Sequence, residues 1–101
     1  MNLKLENTKY EIKGLNKFKK QLKKSIKQGK DINKFREVLI KLANGVELEP
    51  KYRNHNLIDN KYFKHCMECH IEPDWLLIYQ YIDNELILLL VNIGSHSDLF
   101  R

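Results

Sequence analysis

With 101 residues, 43% of them hydrophobic and 31% charged, the chain has apolar surface for one compact core and not for two. No run approaches the roughly 20 apolar residues of a membrane span, and Met1 to Asn7 lack the apolar block and small-residue cleavage site of a secretory leader, so a cytoplasmic protein is expected. The net charge of +5 is uneven: residues 1–30 hold ten lysines against Glu6 and Glu11, net +8, and residues 31–101 are net −3. Such a basic end suits phosphate backbones or an acidic partner, although a lysine face is commonly just a solvated helix surface.

Lys9 to Lys13 is a short strand candidate for a sheet edge. Leu15, Phe18, Leu22 and Ile26 then recur at helical spacing, with Lys17, Lys19, Lys20, Lys23, Lys24 and Lys27 between them, and Gly29 ends the helix. Asp31 caps a second helix whose apolar stripe is Ile32, Phe35, Val38, Leu39, Leu42 and Ala43, stopped by Asn44-Gly45. From Glu47 to Lys64 no period is sustained, which predicts a long loop. Residues 65–71, 75–82 and 85–93 are rich in β-branched and aromatic residues, separated by Glu72-Pro73-Asp74 and Asp83-Asn84. These predict an α+β domain spanning residues 1–101: a short N-terminal strand, a helical hairpin, then a three-stranded meander, with the helices on one face of a twisted antiparallel sheet.

Cys66-Met67-Glu68-Cys69-His70 has the spacing of a covalent haem site and the residue types of a zinc or redox centre. An extended strand points alternate side chains to opposite faces, which sends Cys66, Glu68 and His70 one way and Met67, Cys69 and Ile71 the other. The two sulfurs diverge, no second cysteine pair exists, and His55 and His96 could complete a metal site only from distant loops. Neither haem nor another cofactor is expected, and in a reducing compartment both cysteines read as thiols. The same alternation puts Glu68 beside His70, with Asp74 and Trp75 just beyond. A carboxylate next to an imidazole sets its orientation and tautomer for acid-base work, and also describes an ordinary surface ion pair.

Two stretches, Glu68-Cys69-His70-Ile71-Glu72-Pro73-Asp74-Trp75-Leu76-Leu77-Ile78-Tyr79 and Gly94-Ser95-His96-Ser97-Asp98-Leu99-Phe100, resemble the YafQ branch of the RelE/ParE toxin superfamily. The resemblance is sharpest over residues 50–100. It implies a RelE-like microbial RNase fold and the toxin of a type II toxin-antitoxin system: a metal-free mRNA endoribonuclease acting at the ribosome, with the cognate antitoxin, the ribosome and mRNA as partners. Carried over by position, the catalytic set falls on His55, Glu68, His70, Asp74 and His96, with Trp75 and Phe100 placed to stack on exposed bases, a contact worth about 1 to 3 kcal/mol. Lys17, Lys20 and Lys24 would dock on ribosomal RNA, and Arg53 would bind the substrate strand.

Metal-free cleavage uses the ribose 2'-hydroxyl as nucleophile, so one group must take its proton and another must protonate the departing 5'-oxygen. His70 and His96 suit the two roles, with His96 favoured as the acid. The chain departs from the branch at Met67 and Asn92, where arginines are usual. A lost cationic donor at a reacting phosphate typically costs about 2.7 to 4 kcal/mol, and Lys51, Arg53 or Lys64 are the candidates to replace it. The segment between His55 and His70 is also about two residues longer than usual, a tolerable insertion. The alternative expectation is a catalytically weak or inactive protein of the same fold that only engages its antitoxin, or a non-ribosomal target such as gyrase.

Overall fold

The computed structural model describes residues 5–61 and 63–100. β1 (Glu11–Gly14) leads into α1 (Asn16–Lys27) and α2 (Ile32–Ala43). A 3-10 turn (Pro50–Tyr52) precedes β2 (His55–Asn56), and β3 (Met67–Glu72), β4 (Trp75–Ile82) and β5 (Ile87–Gly94) form the meander, closed by the short α3 (His96–Leu99). One sheet runs in the order β1-β5-β4-β3-β2. The α+β class, the helix pair and the meander agree with the sequence.

Three details differ. β1 pairs with β5 in parallel, because the chain crosses over through both helices before the meander reverses twice. The segment after α2 is not all loop: β2 adds a fifth strand by pairing His55 with Glu68 and Asn56 with Met67. On α1 the buried side runs through Phe18, Leu22 and Ser25, while Leu15 and Ile26, expected in the stripe, are 36% and 40% exposed. Ser25 turns inward because Trp75 Nε1 donates to its hydroxyl at 3.1 Å, and a buried indole N–H needs an acceptor.

α2 starts as expected, with Asp31 Oδ1 accepting from the Asn33 amide at 2.9 Å. Its buried side, Phe35, Val38, Leu39, Leu42 and Ala43, packs with Phe18 and Leu22 over Cys69, Ile71, Trp75, Leu77 and Tyr79 on the sheet. Among the described residues, the other sheet face carries a small cluster, Phe63, Cys66, Ile78 and Val91, bordered by Leu57, Leu89 and Leu99. Cys66 and Cys69 therefore lie in different clusters on opposite faces, as the alternation predicts. Both are free thiols. Burial raises both, Cys69 to about 12.

Candidate active site

Residues paired across strands share a sheet face. His55 opposes Glu68, Glu68 opposes Ile78 and Ile78 opposes Asn92; one row along, His70 opposes Leu76 and Leu76 opposes Gly94. Both rows lie on the face away from the main core. β2, which is only two residues long, has its effect here: it brings His55 into the first row.

Glu68 is 5% exposed and draws two imidazoles to one oxygen. Its Oε1 lies 3.4 Å from His55 Nε2 and 3.5 Å from His70 Nε2. On the far side of each ring, His55 Nδ1 donates to the Arg53 carbonyl at 2.6 Å and His70 Nδ1 to the Pro73 carbonyl at 3.3 Å. A carbonyl oxygen only accepts, so both rings carry their first proton on Nδ1 and turn Nε2 to the carboxylate. A second proton on either Nε2 then makes an ion pair with a carboxylate that has little water to solvate it.

His96 arrives from the other side. Ser95 and Asp98 form a capping box at the start of α3: Ser95 Oγ accepts from the Asp98 amide at 3.1 Å, and Asp98 Oδ2 from the Ser95 amide at 3.3 Å. Gly94 keeps the space beneath it open, since a Cβ there would sit 3.2 Å from that of Asp98, a tight contact that α3 would have to relieve by a small shift. Most of the terminal Gly-Ser-His-Ser-Asp motif is thus the scaffold that turns the chain back over the sheet. Asp74 Oδ1 then accepts from both the His96 backbone N–H, at 2.9 Å, and its Nδ1, at 2.7 Å. These two bonds, the backbone one first, hold the Asp74 carboxyl below its ordinary range, and they leave His96 Nε2 free.

The rings form one line: His55 to His70 is 6.3 Å between centroids, His70 to His96 5.6 Å, His96 to Phe100 6.4 Å, and Phe100 to Phe63 6.0 Å. The structure brings together His55, Glu68, His70, Asp74, His96 and Phe100, although they span 46 positions of the sequence. Phe100 is 42% exposed at the rim. Lys17 follows it, with Nζ 5.9 Å from the Phe63 ring centre. Lys20 and Lys24 are exposed on the same helix, Lys24 within 3.8 Å of Asp98. At the opposite end Arg53 is held with φ of 47° and lines, with Lys51 and His70, a cleft of about 410 Å3.

Trp75 does not belong to this surface. It is 1% exposed and packs in the helix-covered core, so the expectation that it stacks on a base is corrected. The departures at Met67 and Asn92 also look different in three dimensions. Met67 packs against the main core, on the side of β3 away from Glu68. Asn92 lies in the Glu68 row, buried, its Oδ1 accepting from Gln21 Nε2 at 2.9 Å while the Ile93 amide donates to Gln21 Oε1 at 3.0 Å. Sequence reading missed Gln21 and Asn54. The Tyr79 hydroxyl donates to Asn54 Oδ1 at 2.5 Å, which ties the residue before His55 to the core.

The family model for the bacterial toxin YafQ of type II toxin-antitoxin systems matches residues 10–101. The mRNA interferase toxin YafQ of Escherichia coli strain B is 34% identical over 84 residues, 82% of this chain and 87% of the relative. The E. coli DinJ-YafQ toxin-antitoxin complex contains a chain similar to this one at a TM-score of 0.82 and 31% identity, with 92% of this chain and 99% of that chain covered. A metal-bound toxin from Helicobacter pylori is similar at a TM-score of 0.81 and 43% identity, covering 88% and 97%. The chain belongs to the YafQ family of bacterial toxins of type II toxin-antitoxin systems.

Proposed function

We propose that this chain is a cytoplasmic mRNA interferase toxin, held inactive by a cognate antitoxin, that cuts mRNA on the ribosome by acid-base chemistry at the imidazole line. The observation that carries this reading is the meeting of His55, His70 and His96 with Glu68 and Asp74 on the uncovered face of the sheet. His70 takes the proton of the ribose 2'-hydroxyl, and Glu68 stabilises the imidazolium that forms. The 2'-oxygen attacks phosphorus, the bond to the 5'-oxygen breaks, and His96, charged and steadied by Asp74, protonates that oxygen through Nε2. A 2',3'-cyclic phosphate and a 5'-hydroxyl result. His55, with Nδ1 bonded to the Arg53 carbonyl and Nε2 turned to Glu68, serves to hold that carboxylate in position beside His70.

Phe100 offers a partly exposed ring for stacking on a base next to the cut. Lys17, Lys20 and Lys24 face solvent beyond it and serve as the contact with ribosomal RNA, so association should weaken steeply with salt. The binding-only alternative draws support from Asn92, whose side chain is occupied by Gln21. Mapping RNA ends across the transcriptome after induced expression decides between them. In-frame cuts within translated mRNA, ending in cyclic phosphates, support the enzyme; intact mRNA with DNA damage supports a gyrase-directed binder.

A further inference from the structure

The imidazole line ends differently on its two sides. Beyond His96 stand Phe100 and Phe63, an aromatic wall with Lys17 behind it. Beside His70 the surface drops into the cleft of about 410 Å3 between α2 and the 3-10 turn, a size within the range of about 300 to 1,000 Å3 of small-ligand pockets. Its floor is Ile71, Pro73 and the edge of buried Tyr52. Glu72, on the α2 side, is engaged by Lys34 at 3.0 Å and Lys30 at 3.6 Å. Lys51 and Arg53, on the imidazole side, make no ion pair among the described residues. Lys51 instead lies with Nζ 5.1 Å from the Tyr52 ring centre. Glu37 also lines the cleft, and Lys51 lies near enough to Glu49 to add to the Lys41 hydrogen bond that lowers its carboxyl. Two exposed cations outside any ion pair, in the same cleft as the general-base candidate His70, nonetheless describe a seat for a phosphodiester.

We infer that this cleft binds the RNA phosphate adjoining the one that is cut, on the side of the scissile bond away from Phe100, with Lys51 and Arg53 as its cationic contacts. The substrate then has a fixed polarity on the protein. A base lies against Phe100, the reacting ribose and phosphate lie over His70 and His96, and the next phosphate is held in the cleft beside His70. This step rests on the RNA-cleaving reading above. Arg53 serves it doubly, since it lines the cleft while its carbonyl holds the His55 ring.

The test uses ribosomes programmed with mRNA in which a single neutral methylphosphonate replaces the phosphate on one side or the other of the cut. It compares the full-length protein with the Lys51→Ala/Arg53→Gln variant. Gln retains a Cβ at the position with φ of 47°, so the backbone demand is unchanged, and binding of the antitoxin reports folding. The expected result is a loss of about tenfold in cleavage rate from neutralising one neighbouring phosphate, and not the other, in the wild-type protein, with that loss absent in the variant. An equal loss in both proteins, or none in either, overturns the assignment while the cleavage of unmodified mRNA leaves the enzyme reading standing. No cleavage of unmodified mRNA by the wild-type protein overturns both.

Discussion

Tyr79 donates its hydroxyl to Asn54 Oδ1 across 2.5 Å, and this bond links the centre of the fold to the first imidazole of the site. Burial raises the Tyr79 hydroxyl, so it stays neutral and acts as a donor. Asn54 follows Arg53, whose left-handed backbone aims a carbonyl at His55 Nδ1. Tyr79→Phe preserves the ring but leaves Asn54 without its donor. We expect a stability loss of about 1 kcal/mol, read as a melting temperature lower by about 4–8 °C. We also expect a mixture of His55 tautomers by 15N NMR where the wild type holds its proton on Nδ1. Unchanged His55 nitrogen shifts would show that the hydroxyl only packs.

The Asp74–His96 contact makes a pH-dependent prediction. Two hydrogen bonds from His96 hold the Asp74 carboxyl below its ordinary range, so its folded value lies under the unfolded one of about 3.9. A depressed carboxylate contributes stability that is complete above the unfolded value and is lost as pH falls through the folded one. The side chains are 65% and 55% exposed, so solvent screens the contribution and it is small. The melting-temperature gap between wild type and Asp74→Asn should be present at about pH 5 and close as pH falls below about 4. A gap that persists at pH 2 would contradict this origin.

His70→Ala and His96→Ala should each lower mRNA cleavage by about 100- to 10,000-fold, the usual span for a general acid or base, and relieve growth arrest on induction. His96 is exposed, whereas the His70 side chain is 11% exposed beside the buried Glu68, and both lie outside the two hydrophobic clusters. His96→Ala should keep the wild-type stability within about 1 kcal/mol, His70→Ala should lose more because the buried Glu68 carboxylate loses a partner, and both should still bind the antitoxin. Full toxicity in both variants would remove the imidazole line from the mechanism.

The parts of this arrangement legible in the sequence are those written in periodicity. Alternation along β3 separates Cys66 from Cys69 and pairs Glu68 with His70; helical spacing marks Phe35, Val38 and Leu42; Asp31 signals a helix start. Two residues of β2 cannot display a period, so its pairing with β3 is invisible until the partner strand is in place. Ser25 and Trp75 illustrate a second limit: a polar residue replaces Ile26 on the buried side of α1 for the sake of an indole N–H that lies fifty positions away. Trp75 itself lies in the core and not on the histidine face, because its position in the motif does not reveal which sheet face it occupies. The register shift after Ile78, which adds Val91 and sets where Asn92 lies, leaves no signal that composition can supply.

Trp75 and Phe100 should therefore separate cleanly in experiment, though both are aromatic and both flank the histidines in sequence. Ser25→Ala strips Trp75 Nε1 of its acceptor inside the core and should cost about 1–3 kcal/mol of stability, with little change in the cleavage rate of the protein that remains folded. Trp75→Phe removes the donor together with ring volume, and should destabilise in the same way. Phe100→Ala removes a ring that is 42% exposed and should leave the melting temperature nearly unchanged. If that ring holds a base, cleavage falls by an amount equivalent to about 1–3 kcal/mol, and an abasic nucleotide at the neighbouring position should cost the wild type the same and the variant nothing more. A Phe100→Ala protein that still distinguishes the abasic substrate would place the stacking surface elsewhere on the face.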